Sequence, residues 1–452
     1  MTSQYKTYPE YKNSGVQWIG KIPEGWEVHK VKHYKKDVKF SIVDGPFGTQ
    51  LHSEEYVDEG IPVVRVINLT YNGDFVSKNM VFIRKEKYSE LKRSSIKEGD
   101  ILIAKTGATI GKIGVFSGFK KAIILSSCLK LSLKDKINHD FFKYLLISDS
   151  GQSQILSEAA GSTRDTINID SFSNLCFSIP NKIEEQQKIA FFLDKKIANV
   201  NALVEKDKKL IGLLKEKRAA LINHAVTKGL PVRGTQTGLE SNAKMKDSGI
   251  DWIGKIPEGW EVKKLKFSVY EKKIKDTTKN PNTKFIGLEH IESETGKLIS
   301  SSTLEDIDGE SVRFKENNVL FGKLRPYLAK VIKVDFRGSC TGELIVYEAR
   351  GKIDSKFLFY RLLSKGFIDL VNSTTYGVKM PRADPTQLSN IKIAWPPLPE
   401  QTTIVNFLGK ATVKMDKTIQ KIEQKIKFLE EYKKSLIHHA VTGKIDVRGP
   451  EI

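Results

Sequence analysis

The stretch WIGKIPEGWEV occurs twice, at Trp18–Val28 and Trp252–Val262, with all eleven residues identical and the copies 234 positions apart. Chance does not supply such a match in a chain of 452 residues, so the molecule must be a tandem duplication before it is anything else. A second match lies downstream. A shift of 215 positions superimposes Glu185 on Glu400, Phe192-Leu193 on Phe407-Leu408, His224-Ala-Val-Thr on His439-Ala-Val-Thr, and Arg233-Gly on Arg448-Gly. The order is globule, helix, globule, helix.

Both downstream segments read as long helices, interrupted only by Gly212 and Gly409. Leu408, Met415, Ile419, Ile422, Ile426, Leu429, Leu436 and Ala440 recur in steps that keep a heptad seam. The same shift gives Leu193, Val200, Val204, Asp207, Ile211, Leu214, Leu221 and Ala225, with Arg218 and Lys433 as one equivalent polar interruption. A long amphipathic helix lying on a globular core is the plainer alternative. Two helices built to one register instead favour a two-stranded coiled coil. Ile183 to Ala225 is 43 residues, so the first helix runs about 65 Å and carries the second globule away from the first. The second helix then returns antiparallel, leaving two quasi-equivalent faces for two identical partners.

The globular stretches, about Val31–Pro180 and Leu265–Pro396, share a ground plan. GDILIAKTG (Gly99–Gly107) matches NNVLFGKLR (Asn317–Arg325), a short apolar strand that delivers Lys105 and Lys323 to equivalent points. INHDFFKYLLIS (Ile137–Ser148) matches IDSKFLFYRLLS (Ile353–Ser364) as a helix, and Gly161 and Gly377 keep the same spacing after it. Elsewhere the stretches diverge, with strand-like runs such as IPVVRVINL and CLKLSLK. The expected fold class is α+β: two mixed α/β globules separated by an antiparallel two-helix coiled coil, with a pseudo-two-fold internal repeat. The segments are 1–30 (first joint), 31–180 (first globule), 181–234 (central helix), 235–264 (linker and second joint), 265–396 (second globule) and 397–449 (C-terminal helix).

Lysine plus arginine number 74 against 54 aspartate plus glutamate, a formal charge of +20. Such an excess points to a polyanion, because neutralised phosphates release counterions and drive association. A well-solvated basic protein is the bland alternative. Cys128, Cys176 and Cys340 lie far apart with no CxxC pair, which offers neither a disulfide framework nor a zinc site. The opening residues have no apolar leader core, and no apolar run nears the roughly 18 residues of a membrane span. A cytoplasmic protein with no membrane partner is expected.

The order of two dissimilar globules and two near-identical helices resembles the specificity subunit of type I restriction-modification systems. The phrases WIGKIPEGWEV, DGPFGTQL, GDILIAKTGATIGKIG and WPPLPEQ…I…FL carry the resemblance, which covers essentially the whole chain. It implies two target-recognition domains, each reading one half of a bipartite, asymmetric site in double-stranded DNA. It also implies helices that set the spacing and hold two methyltransferase (modification) subunits, joined by restriction/translocase subunits. S-adenosylmethionine, ATP and Mg2+ are then expected on those partners and no cofactor on this chain.

The candidate catalytic motifs of the chain fall short of their patterns. TGATIGKIG fails the phosphate-loop pattern at Thr106 and at Ile113. WPPLPEQ (Trp395–Gln401) has Trp395 and Leu398 at the wrong ends for the amino-methyltransferase element. No S-adenosylmethionine glycine motif, HxxxH pair or nuclease arrangement stands out, and His438-His439 has capping as its ordinary explanation. The expectation is a non-catalytic DNA-binding subunit. A coiled-coil scaffold whose globules bind proteins, and an unrecognised stand-alone enzyme, remain the alternatives.

Features shared by both globules serve shared tasks, and divergent ones specify different ligands. Lys105, Lys323, Lys112 and Lys330 are therefore phosphate candidates, which position without reading sequence. Base-reading candidates follow them: Thr106 and Thr109 in the first copy, Arg325 and Tyr327 in the second, with Arg325 suited to guanine O6 and N7. The loop after the helix supplies Ser162, Thr163 and Arg164, and in the other copy Tyr376, Lys379 and Arg382. Phe47 and Gln50 form a weaker third set. For each the plain alternative is a polar turn. Trp18, Trp26, Trp252 and Trp260 are read as a joint that buries aromatic area and seats each globule on a helix end or a bound subunit. A duplication without functional demand would also explain the repeated phrase.

Overall fold

The computed structural model describes residues 5–46, 50–160, 165–230, 244–276, 280, 282–303, 310–377 and 379–449. The chain divides into two units, 1–206 with 425–452, and 207–424, so that each unit takes half of each long helix.

In the first unit, β1 (Trp26–Lys30), β2 (Ile42–Asp44), β3 (Ile101–Ala104), β4 (Ile113–Val115), β5 (Cys128–Leu131) and β6 (Cys176–Pro180) frame the recognition stretch. Helices α1 (His139–Ile147) and α2 (Asp149–Ala159) follow β5, and the long helix α3 (Ile183–Lys228) follows β6. Strands β2, β5, β3 and β4 make an antiparallel sheet in that order. A second sheet orders Val81–Ile83, Ile61–Val64, Ala122–Ile124 and Ser95–Ile96, with its middle pair parallel. β3 is buried on both faces, which explains its unbroken apolar run ILIA.

The second unit repeats the plan with β7 (Glu261–Lys264), β8 (Val269–Lys272), β9 (Val319–Gly322), β10 (Val331–Lys333), β11 (Leu344–Ala349), α4 (Ser355–Leu363), α5 (Lys365–Ser373), β12 (Lys392–Trp395) and the long helix α6 (Leu398–Val441). Its main sheet orders β8, β11, β9 and β10, position for position as in the first unit. Its second sheet orders Ser302–Thr303, Lys284–Ile286, Gly338–Thr341 and Ser311–Phe314, again with a parallel middle pair. Two sequences that diverge almost everywhere thus share one topology.

The long helices pair antiparallel. In the first unit the start of α3 (Ile189, Ala190, Leu193) joins one core with the end of α6 (Leu436, Ile437, Ala440, Val441). In the second, the end of α3 (Leu221, Ile222, Ala225, Val226) joins one with the start of α6 (Ile404, Val405, Leu408). These two sets are related by the 215-residue shift. Every seam position read from the sequence is at least partly covered, whereas Leu203, Leu210, Leu213 and Phe428 off the seam are exposed. The buried seam residues, not helix propensity, hold helices of 46 and 44 residues in place.

The polar interruption has a structural role. In the second unit Arg218 lies 3.1 Å from Asp416 and donates to the carbonyls of Glu294 and Thr295 at 2.9 and 3.0 Å. In the first, Lys433 reaches Asn201 at 3.4 Å and Asn72 at 3.3 Å. Asn201 and Asp416 are themselves related by the same shift. The cation thus ties each globular stretch to its helices. In the second unit Arg218 pairs with Asp416 across the helices and holds two carbonyls of the stretch, with Lys297 of the stretch also on Asp416 at 3.0 Å. In the first, Lys433 reaches the Asn72 amide.

Candidate nucleic-acid interface

The repeated phrase folds identically in both units. Lys21–Pro23 pairs with Tyr11–Asn13, and Lys255–Pro257 with Met245–Asp247, each as an antiparallel hairpin. β1 then pairs with β6, and β7 with β12, the strand that leads into the long helix. Trp26 is fully buried, and its indole N–H donates to Glu185 at the start of α3 at 2.9 Å. Trp260 does the same to Glu400 at the start of α6 at 3.0 Å. The next residue was missed from sequence. Gln186 accepts from the Asn138 N–H and donates to the Pro180 carbonyl, while Gln401 accepts from Asp354 and donates to Pro396. The recurrence of Glu-Gln under the 215-residue shift was the signal available for it.

The other two tryptophans of the phrase sit differently. Trp18 is 55% exposed. Trp252 is half-buried, with the Arg361 guanidinium 5.0 Å from its ring centre. The residue matching Arg361 in the first copy is Leu145, which is buried and has no long cationic arm to lay over Trp18. Arg361 is fully buried, and loss of solvation pulls its guanidinium down to about 9.

In the second unit the two candidate loop sets, far apart in sequence, are joined by backbone hydrogen bonds; in the first, the residues just after the second loop, Asp165 to Ile167, make the matching bonds. After β3, the Lys105 N–H donates to Ser127 O at 2.9 Å, Gly107 N–H to Asp165 O at 2.9 Å, and Ile167 N–H returns to Lys105 O at 3.0 Å. After β9, the Lys323 N–H donates to Glu343 O at 2.9 Å, Arg325 N–H to Pro381 O at 2.8 Å, and Ala383 N–H returns to Lys323 O at 3.0 Å. Thr106 bridges to Thr166, Leu324 to Arg382, and Tyr376 to Arg382. One backbone frame thus carries Thr-Gly-Ala-Thr in the first unit and Leu-Arg-Pro-Tyr in the second.

Side chains on this frame differ sharply. In the second unit Arg325, Lys379 and Arg382 are exposed, as are Tyr327 at 48%, Tyr376 at 61% and Met380 at 62%. Arg382 also pairs with Glu343 at 2.9 Å. This is a basic, aromatic surface suited to a polyanion with planar groups. In the first unit the Thr109 hydroxyl donates to its own loop at Thr106 O, and Tyr71 reaches the Ala108 carbonyl at 2.8 Å. Lys112 stands 5.6 Å from the centre of the Tyr71 ring. Ser162, Thr163, Arg164 and Phe47 lie outside the described residues, while Gln50 is exposed.

Two of the phosphate candidates have internal partners. Lys105 is ion-paired with Asp44 at 2.9 Å, with both side chains largely covered. Lys330 donates to the carbonyls of Leu288 and Ile291 at 2.7 and 2.9 Å. The sequence shows a cation at a strand end but not the acceptors folded beside it. Lys323 lies beside Cys340, whose thiol burial pushes up to about 12, against the pull of the ammonium. Cys128 beside Lys105 is raised likewise to about 12 by burial, so both thiols stay protonated. Among the described residues no cluster of His, Cys, Asp and Glu could hold a metal, and no helix is long and apolar enough to cross a membrane.

The backbone of the frame is left-handed at two matched positions. Gly107 and Gly111 have φ of 60° and 83°, while Arg325 and Ala329 hold φ of 50° and 47°. The glycines adopt this freely, whereas an L-residue there costs about 1–2 kcal/mol.

The class of protein this defines is a duplicated two-unit protein, in which two copies of one backbone frame carry different side chains. The model of the type I restriction modification DNA specificity domain matches residues 47–212 and 257–428, and the chain belongs to that family. It is 25% identical to the type I restriction enzyme EcoDI specificity subunit of Escherichia coli over 372 residues, covering 80% of this chain and 81% of the relative. It is 26% identical to the MjaVIII specificity subunit of Methanocaldococcus jannaschii over 444 residues, 95% of each. Among solved structures it is similar to a chain from work on complex assembly and conformational transition of the type I R-M system, with TM-score 0.66, 15% identity, and 94% and 99% of the two chains covered. The HsdS subunit from Thermoanaerobacter tengcongensis gives TM-score 0.50 at 14% identity, covering 94% and 98%. These two likenesses concern the fold. Membership of the specificity family makes this chain a non-catalytic DNA-specificity component rather than the restriction or modification enzyme.

Proposed function

We propose that each unit reads one half of a bipartite, asymmetric site in double-stranded DNA with the loop pair after β3 or β9. The observation that carries this reading is the shared backbone frame with divergent side chains. A common task needs one geometry, and two different base sequences need two sets of side chains. The formal charge of +20 supplies the sequence-independent attraction. Arg325, Tyr327, Tyr376, Lys379 and Arg382 form the base-reading surface of the second unit, and Thr106, Thr109 and residues 162–164 that of the first. Lys323 and Lys112 contact phosphate. Lys105 and Lys330 serve this role only through the loops they brace.

The paired helices set the distance between the half-sites and dock two methyltransferase subunits, with restriction/translocase subunits joining that core. S-adenosylmethionine, ATP and Mg2+ belong to those partners, which act in the cytoplasm. The family and the relatives named as type I specificity subunits support the assignment. Footprinting of the full chain with its methyltransferase partner on genomic DNA fragments tests it. Two protected segments separated by an unprotected gap are expected, with affinity that falls steeply as salt rises. Continuous coating of any duplex, or no protection at all, would contradict it.

A further inference from the structure

The matched left-handed positions carry more than a description of the loop. The first copy places glycine at both, so its turn is free of side-chain strain, whereas the second copy makes the same turn with Arg325 and Ala329. A glycine at 325 would satisfy the turn, as Gly107 shows. Strain that a neighbouring copy avoids, held at an exposed position, marks a side chain retained for what it does.

We infer that Arg325 is a specificity-determining residue of the second unit and reads a guanine in the major groove. The inference rests on the DNA reading proposed above. Its backbone N–H is anchored to Pro381 O, so the direction in which the side chain leaves the loop is fixed. Arg382 nearby is held by Glu343, whereas Arg325 has no carboxylate partner among the described residues. A phosphate contact could be made without strain by Lys379, in the bend between Tyr376 and Arg382. Bidentate approach to guanine O6 and N7 needs a planar fork from one direction, which a fixed left-handed arginine provides and a lysine does not. The first unit has no side chain at this position and makes no equivalent contact.

Selection of bound duplexes from a randomised library, using the full chain with its methyltransferase partner, tests this. The wild type yields a two-part motif. Arg325→Gly and Arg325→Lys each lose roughly tenfold to hundredfold preference for one G·C position in one half. The other half is unchanged, and Arg325→Lys retains overall affinity. Arg325→Gly also unfolds about 1–3 °C higher, because relief of the left-handed strain outweighs the entropy glycine adds to the unfolded chain. Ala329→Gly, which relaxes the same turn without touching the arginine, leaves the motif intact. A guanine preference that survives Arg325→Gly, or a uniform weakening on all sequences, overturns the inference. If the wild type selects no motif, the DNA reading itself fails and the inference falls with it.

Discussion

Trp26→Ala is expected to destabilise the first unit by about 3–5 kcal/mol, the range for deleting a large buried aromatic. The indole has no exposed surface and packs edge-to-face on Tyr8 and Phe141, with ring centres 5.9 and 6.2 Å apart. Its removal leaves a cavity beneath β1 and takes one donor from Glu185. That carboxylate keeps the Tyr8 hydroxyl at 2.9 Å and Arg448 at 3.8 Å. Trp260→Ala removes the matching contacts from the second unit, the edge-to-face packing on Phe357 at 6.5 Å and the hydrogen bond to Glu400. Trp260→Phe keeps one ring and loses the N–H with part of the indole packing, so it costs at least the hydrogen bond's share, about 1–2 kcal/mol, and less than Trp260→Ala. Urea unfolding measures both. A loss below about 1 kcal/mol for Trp26→Ala would show that the repeated phrase does not hold domain to helix.

Arg218→Ala is expected to cost about 3 kcal/mol, and Lys433→Ala about 1 kcal/mol or less, although the two residues occupy equivalent positions. The Arg218 side chain is 8% exposed and faces Asp416 at 15%. Its loss leaves two carbonyls without donors and Asp416 with Lys297 alone, 3.0 Å away. Lys433 makes only long contacts, to the Asn72 and Asn201 amides and, at 3.4 Å, to the half-exposed Glu430 one turn away on its own helix, so little depends on them. Arg218→Lys should recover only part of the loss, because an ammonium cannot span three acceptors set for a planar fork. Equal effects for the two alanine variants in thermal unfolding would refute the asymmetry.

The duplication and the long helices were legible because each is carried by local pattern: identical phrases in one case, a heptad sustained over both copies in the other. The sheets were not. β2 is three residues long and finds its partner β5 more than eighty positions away, and no local periodicity encodes such a pairing. The candidate loops were found as two separate sets because only the long-range frame joins Thr106 to Thr166 and Arg325 to Pro381. The ion pair of the phosphate candidate Lys105 is invisible in the sequence for the same reason, its partner Asp44 lying in another strand. Trp18 and Trp26 sit in one repeated phrase and face opposite environments, a distinction set by what folds over them. The strain at Arg325 was within reach of the repeat comparison, which pairs it with Gly107, but its sign needed the backbone angle.

The most direct test of the account replaces residues 31–180 with the corresponding stretch of another family member and maps the adenines modified by the assembled complex. The account predicts that one half-site changes, while the other half and the gap between them stay as they were. A change in both halves, or an altered gap with both halves retained, would contradict it.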